Sequence, residues 1–564
     1  MLSIKRLLYV ISLVVMISGI FLAYGIHEEE NDMTGISNAE VTEEALLKGN
    51  VREKPVRFYV AGSKKKELYG TILKNVCLYL RDIGADYQCT DTLEELPGTE
   101  GTVLIFCDDV ISDHVSLLEL GDYIRSGGKC VFAAGVAEEN QDAYLQAFLG
   151  YAEKSKRENY GEFRFVQEFL PVQYPTMKYS AYSMSTWLSL RERANIYAVD
   201  AGKGTPLLYS YPYEAGESFV INGTFLTEMT SMGLLSGAIG KLLDTWVCPA
   251  LGCISVYLDN FPMVTYVDDK LTLELYGRST EGFIRDVVWP EFQGLSLRNG
   301  VPYTSSVITA TDYEDAFPSI NDSLFTTIGR SALQYGGELA YAMNSDGSDA
   351  HGYMNRLFLE RFAERFPNYR ITSEVQMSEN WPSSCYEQLE GNVLTVRGRL
   401  DDPERGLGYR DGVCFFPAAS YGYEMEEGGL FEIASTLGAY GMVSHVFDVN
   451  GFIADEHRSG VWEEKKDQLA FFEDKVLSRT DFLKPVTLKE TRNLVKSYCS
   501  MSYSWETEGS DRLRIFCTDY RKGQTFWLQT DQEVGEVSGA EIKKVSEGYY
   551  YVSMLENEAV ICWR

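Results

Sequence analysis

Cys253-Ile-Ser-Val-Tyr-Leu-Asp-Asn-Phe-Pro262 is a short apolar run that carries an acid and an amide, Asp259 and Asn260, to the point where Pro262 stops it. The run is β-branched and aromatic, and a proline cannot continue a central ladder, so it reads as a buried strand ending just before Pro262. Barrel folds keep their chemistry on side chains presented at the C-terminal ends of strands. The plainer alternative is a strand end whose Asp and Asn cap a turn.

The pattern on the C-terminal side of this run is repetitive. Helical stretches at 280–290, 322–335, 352–366, 430–437 and 463–477 alternate with short apolar runs at 304–309, 337–342, 369–373, 412–416 and 441–446. Strand-then-helix units over residues 253–483 predict a (β/α) barrel, with eight strands or fewer. On the N-terminal side, residues 55–248 alternate in the same way, with strands at 56–61, 102–107 and 129–134 and helices at 67–83 and 112–126. That alternation predicts a doubly wound parallel sheet, followed by two short strands around Glu214-Ala-Gly216, a helix at 230–246 and a hinge at Pro249-Ala-Leu-Gly252. Residues 484–564 change character. After a linker helix, aromatic and β-branched runs at 513–518, 525–528 and 549–554 predict a small antiparallel β module. The fold class is α/β.

Lys5 and Arg6 precede an uncharged apolar run over 7–26, and Glu28, Glu29, Glu30 and Asp32 follow it. About 20 apolar residues cross a bilayer, and this charge order places the N-terminus in the cytoplasm. Residues 1–26 are thus expected to be a cytoplasmic tip and transmembrane signal anchor, 27–54 a polar linker, and the remainder extracytoplasmic on a single-pass membrane protein; a cleaved signal peptide is the rival reading.

The balance of 51 Lys and Arg against 82 Asp and Glu, a net charge of −31, excludes nucleic acid as a partner. It suits a cationic partner such as a partly deacetylated amino-sugar polymer, and equally the solubility of an exported chain. The 11 cysteines show no CxxC and no metal-ligand spacing, so no disulfide framework is expected, although Cys248 with Cys253 or Cys499 with Cys517 are possible pairs.

Two resemblances attach to these patterns. The segment VLIFCDD with LGDYIRSGGKCVFAAGV resembles the class I glutamine-amidotransferase-like fold, whose active members carry a nucleophilic Cys at a strand-to-helix elbow and a later His. Val136-Ala-Glu-Glu holds no Cys and His114 is the domain's one His, so 55–248 is expected to be a binding or scaffolding module without that catalysis. The Ser63-Lys-Lys-Lys66 run reads as a solvated loop, since neither a GxGxxG nor a Walker pattern accompanies it.

The barrel region resembles the polysaccharide-deacetylase (NodB-homology) superfamily, and more closely an uncharacterised, membrane-anchored, DUF2194-like branch linked to Pel-type exopolysaccharide production. The resemblance implies that Asp259 is the general base and that Asn260 replaces a metal ligand. Ala342 and Asp346 then fall where two metal-binding histidines belong, and Phe416 falls where an arginine orients the base. His445 matches the late catalytic histidine, able to donate a proton to a leaving amine. No cofactor is therefore expected; a zinc ion held by Asp346, His351 or Asp269, the last from the pair Asp268-Asp269, is the alternative. Aromatic side chains at Phe261, Tyr266, Trp381, Tyr421, Tyr423 and Trp462 could stack on sugars, Asn260 is a further glycan-binding candidate, and Glu424, Glu426 and Glu427 could pair with amines. The resulting expectation is a membrane-anchored glycan-interacting protein with a degenerate deacetylase-like barrel. An active hydrolase, deacetylase or glycosidase, and a non-catalytic component of a polysaccharide synthase complex are the alternatives.

Overall fold

The computed structural model describes residues 54–137, 143–262, 269–308, 322–343, 359–360, 362–376, 393–402, 406–449, 451 and 461–564. The apolar run at 7–26 and the linker behind it lie outside them. Among the described residues, no helix is long and apolar enough to cross a membrane.

The first sheet has nine strands. Asp86–Thr90, Arg57–Ala61, Thr102–Phe106 and Lys129–Phe132 lie side by side in that order, all parallel. Thr102–Phe106 is buried along its whole length, as a parallel strand covered on both faces must be. Its residues alternate between two cores: Val103 and Ile105 pack with Ile72 and Val76 of the helix Glu67–Asp82, while Leu104 and Phe106 pack with Leu120 and Ile124 of Leu117–Arg125. The doubly wound half therefore forms where the alternation places it. The two strands expected around Glu214-Ala-Gly216 form, Gly216–Ile221 continuing the sheet in parallel and Pro206–Tyr213 pairing antiparallel with it, and Asn195–Asp200, Glu162–Phe165 and Thr176–Lys178, which were not foreseen, extend it antiparallel. The turn joining the Pro206–Tyr213 and Gly216–Ile221 strands passes through Glu214 in the left-handed region, φ 55°.

The second sheet is the curled one. Cys253–Asp259 is at its centre, flanked on one side by Tyr303–Ile308, Glu338–Met343, Ser373–Gln376, Thr395–Arg397 and Val413–Phe415 in sequence order, and on the other by Met442–Asp448 and Ser420–Tyr421. These strands all run parallel, and Gly408–Arg410 adds an antiparallel edge beside Val413–Phe415, giving an incompletely closed (β/α) barrel that opens, among the described residues, between Gly408–Arg410 and Ser420–Tyr421. The helix Leu488–Cys499 plugs the N-terminal end of the strands. Its first amides donate to Thr304 Oγ1 (2.9 Å, from Leu488) and to Glu338 Oε2 (2.9 Å, from Lys489), so the positive end of the helix faces a buried carboxylate.

Pro249 and Ala250, the first half of the expected hinge, belong instead to a strand. The helix expected at 230–246 stops at Leu242, and Thr245–Ala250 pairs antiparallel with Thr525–Thr530 at the edge of a four-stranded sheet completed by Tyr549–Met554 and Ala540–Ser546. An edge position is where Pro249 costs no ladder bond. Ser502–Glu508, Arg512–Thr518, Glu558–Trp563 and Val534–Ser538 form a second antiparallel sheet. The parts share one core: Gly233 of Met232–Leu242 lies so close to the helix Gly429–Tyr440 that a Cβ would meet Ser435 O at 2.2 Å, and Trp527 Nε1 donates to Leu437 O at 2.8 Å.

Among the described residues one disulfide, Cys77–Cys89 (2.08 Å), ties the helix Glu67–Asp82 to the strand Asp86–Thr90. The pairs considered from sequence do not form: Cys248, Cys253, Cys499 and Cys517 are all free thiols. Sequence gives no means of seeing which helix face meets which strand, and that juxtaposition decides the pairing.

Candidate functional site

Alternation along the parallel strands decides which side chains share the barrel interior. Tyr257 and Asp259 are on one face of the central strand, and the register carries that face to Asp448 on Met442–Asp448 and towards Ser306 on Tyr303–Ile308. At the mouth the Asp259 carboxylate is held from two directions. Arg397 grips it with both arms of its guanidinium, Nη1 to Oδ1 at 2.7 Å and Nη2 to Oδ2 at 2.6 Å, and Ser306 Oγ donates to Oδ1 at 2.8 Å. Arg397 is itself 3% exposed and lies over the Tyr257 ring, 4.7 Å from its centroid. Burial works against the Arg397 charge, and the Asp259 carboxylate more than offsets it, so its pKa rises above the usual arginine value. The pair is a fixed, oriented carboxylate, and removing either partner strands a buried charge.

Arg397 is the residue the sequence reading missed. The orienting arginine was sought at Phe416, which is fully buried; it comes instead from the three-residue strand Thr395–Arg397. Leu394-Thr-Val-Arg397 is too short to show a period. The signal available was an arginine terminating a β-branched pair.

Asn260 takes the left-handed conformation, φ 57°, which asparagine tolerates better than most residues, and the following Phe261–Pro262 bond is cis. Its Nδ2 donates to Asp448 Oδ1 at 2.8 Å, and the Val449 amide donates to Asp259 O at 3.0 Å, so the two neighbouring strand ends are stitched together. Asp448, which sequence did not single out, is thus an exposed acid beside the buried Asp259.

Tyr421 completes the mouth. Its ring is 54% exposed at the end of Ser420–Tyr421, within electrostatic reach of Arg397 and Asp259 first and of Arg399 and Asp401 beyond them. Glu424 lies further out, exposed, with Lys465 Nζ 4.0 Å away. Phe261, Tyr423 and Trp462, offered as sugar-stacking candidates, are core: Phe261 stacks on Trp289, Tyr423 on Phe447, and Trp462 meets Phe283 edge-on. Tyr266 and Trp381 lie outside the described residues.

His445 does not join Asp259. It pairs in register with Val256, one residue out of step with Tyr257, and so points to the outer, helix-facing side. There it stacks on Phe472, with a neutral ring that donates from Nε2 to Gly422 O (3.0 Å) and accepts at Nδ1 from Ser420 Oγ (2.8 Å). Burial pushes its pKa down to about 3. A proton-donating role at the mouth does not follow from this position.

A divalent cation needs several converging donors. Among the described residues no three His, Cys, Asp or Glu side chains gather to hold one. Asn260 spends its amide on Asp448, and Asp269 accepts from the Thr280 amide (3.0 Å) as a cap on the short helix there. Asp346, His351 and Asp268 lie outside the described residues.

Comparison with known proteins bears on the whole arrangement. No curated protein matches the chain. Among solved structures, the carbohydrate deacetylase Agd3 superposes over 90% of this chain and 98% of its own with a TM-score of 0.55 at 7% identity, which shows a shared fold. A ThuA-like protein from Bacteroides uniformis (TM-score 0.26, 12% identity, 35% of this chain and 95% of that one) and a β-galactosidase from Bacillus circulans sp. alkalophilus (TM-score 0.24, 14% identity, 35% and 34%) match partially. A model of uncharacterised proteins conserved in bacteria matches residues 73–365, just over half of the sequence, and the chain belongs to that family, DUF2194.

Proposed function

We propose that this chain is a glycan-interacting protein whose barrel mouth holds a sugar residue between Asp259 and the Tyr421 ring. The observation that carries the reading is the Asp259–Arg397–Ser306 clamp, with the exposed Tyr421 within its electrostatic reach, at the C-terminal ends of parallel strands. A carboxylate fixed in this way accepts hydroxyl or amine hydrogens in one geometry, and the tyrosine face covers the apolar side of a sugar. The exposed Asp448 and Glu424 favour a polymer with free amines, so the ligand is a partly deacetylated amino-sugar chain. The reading places the barrel among NodB-like deacetylases with the metal triad lost, because an amide stands at position 260 and a methyl at position 342. It works without a resident metal, in exopolysaccharide production of the Pel type.

The chain is proposed to be held at the membrane by residues 7–26 with its sheets outside the cytoplasm, alongside synthase-complex proteins. The Cys77–Cys89 disulfide supports an oxidising compartment. Titrating the purified full-length chain against a panel of acetylated and partly deacetylated hexosamine polymers tests the ligand. Saturable binding that Arg397→Met and Tyr421→Ala both weaken is the expected result, and silence across the whole panel would refute it.

The bidentate Arg397 clamp favours a second reading, an active hydrolase with Asp259 as base, since a general base must be held in one orientation. Metal analysis of the full-length chain together with acetate release from acetylated chitooligosaccharides separates the two. Stoichiometric zinc, with turnover lost in Asp259→Asn, would establish this second reading over the first.

A further inference from the structure

A loop of the first sheet is fastened to the segment that follows Tyr421. After the strand Thr176–Lys178, Lys178 Nζ donates to Glu427 Oε1 at 2.5 Å and Ser180 Oγ donates to Glu432 Oε1 at 2.9 Å. Gly428 lies so close that a Cβ there would meet the Ser180 Cβ at 2.7 Å. Tyr179 holds the same loop from beneath: it is buried, meets Phe225 and Phe431 edge-on, and donates its hydroxyl to Phe225 O at 3.0 Å. The helix Gly429–Tyr440 joins two parallel strands, Ser420–Tyr421 and Met442–Asp448, so its first residues lie at the C-terminal pole of the barrel. The loop is therefore pinned at the pole that carries Asp259.

Tyr182, two residues beyond Ser180, is 65% exposed, more than Tyr421 at 54%. Its hydroxyl donates to Met184 Sδ at 2.8 Å, which anchors the ring by its tip. The ground between the two tyrosines is polar and charged. Tyr421 is within electrostatic reach of Asp401, and Asp401 of the exposed Glu228, which in turn reaches Glu432. Arg399 bonds Asp401 at 2.9 Å. The seven residues from Tyr421 to Gly428 span at most about 25 Å, so the two exposed rings are within the length of one oligosaccharide.

We propose that Tyr182 is a second stacking platform for the glycan, so that the ligand is an oligosaccharide running from the Asp259 mouth over Tyr421 to Tyr182, recognised as a chain and not as a single sugar; this rests on the mouth being an amino-sugar site. An aromatic ring covers the apolar face of a sugar, and a second ring on the same rigid frame makes the second contact intramolecular. Because Tyr179, Ser180 and Lys178 already fix the loop, little ordering cost opposes that contact. Glu228, between the rings, complements free amines on the intervening units.

Calorimetric titration of the full-length chain with glucosamine and galactosamine oligomers, from dimer to octamer, tests the proposal. The octamer of the preferred sugar should bind about tenfold or more tighter than its dimer. Tyr182→Ala should remove that gain and leave dimer affinity unchanged, whereas Tyr421→Ala should weaken dimer and octamer alike. Tyr182→Phe should behave as the wild type, since stacking uses the ring; a purely structural role through the Met184 contact would make it resemble Tyr182→Ala. Thermal midpoints of the variants report folding separately. Equal affinity for dimer and octamer, octamer binding unaltered in Tyr182→Ala, or Tyr182→Phe matching Tyr182→Ala would each overturn the second platform while dimer binding through Tyr421 left the mouth intact. No binding of any oligomer would overturn both.

Discussion

Asp259 and Asp108 are both buried carboxylates at or just past the C-terminal end of a parallel strand, one in the barrel and one in the doubly wound sheet, and they differ in what surrounds them. Asp108 is enclosed by its own neighbourhood: Lys66 Nζ approaches both oxygens (3.0 and 2.9 Å), the Val110 amide donates to Oδ1 (3.1 Å), and His114 Nε2 stands 3.2 Å from Oδ2. Although burial opposes it, His114, Lys66 and the Val110 amide hold that carboxyl far below the usual range. The result is a closed knot that ties two loops. Asp259 is gripped by a single arginine from a strand more than a hundred residues away, at a mouth that also carries the exposed Tyr421. A strand-end acid is therefore a candidate site when its partners fix its direction and leave its approach open, and a structural tie when they close around it.

The contrast can be broken by substitution. Arg397→Met should have the largest effect, abolishing glycan binding and costing about 3–5 kcal/mol in chemical denaturation, because Asp259 is left charged and buried. Asp108→Asn should cost about 1–3 kcal/mol and leave glycan affinity unchanged. A loss of affinity in Asp108→Asn would erase the distinction drawn between the two acids.

The two described histidines sharpen it through pH. For His114, burial lowers the pKa but Asp108 and the Asp91 carbonyl more than offset it, so the net shift is upward. The stability it contributes is complete below about pH 6.5 and is lost as the pH rises through its folded-state pKa. His445 has the opposite sign. Its pKa is lowered to about 3, so its contribution is complete above about pH 6.5 and is lost as the pH falls towards 3. Thermal midpoints measured from pH 4 to pH 8 should show His114→Gln flattening the alkaline limb and His445→Gln the acid limb, with neither altering glycan affinity. The smallest effect belongs to Tyr421→Ala, which should weaken glycan binding about tenfold or less and change stability by under about 0.5 kcal/mol.

Much of this was legible from the chain. The alternation of short apolar runs and helices gives the doubly wound half-sheet and the curled barrel, because burial on both faces forces continuous apolar strands. The stretch ending at Asp259 announces itself by composition. Arg397 did not, since a three-residue strand carries no period and its partner is set by tertiary packing. His445 was misassigned although parity could have placed it: counting by twos along Met442–Asp448 puts it out of step with Asp448, which registers with Asp259. The strand Thr245–Ala250 was hidden by Pro249 and the Gly252 just beyond it, which read as punctuation when the pairing partner lies more than 270 residues away.

That distant pairing has a consequence for how the protein is made. Thr245–Ala250 finds its partner, Thr525–Thr530, only after more than 270 further residues have been synthesised. Until then the centre of the molecule offers an open ladder edge, and a product cut short before residue 525 would carry that edge permanently, as bait for aggregation and proteases. Thr525–Thr530 acts as a clasp on a part made much earlier, so its arrival doubles as a check on the integrity of what precedes it.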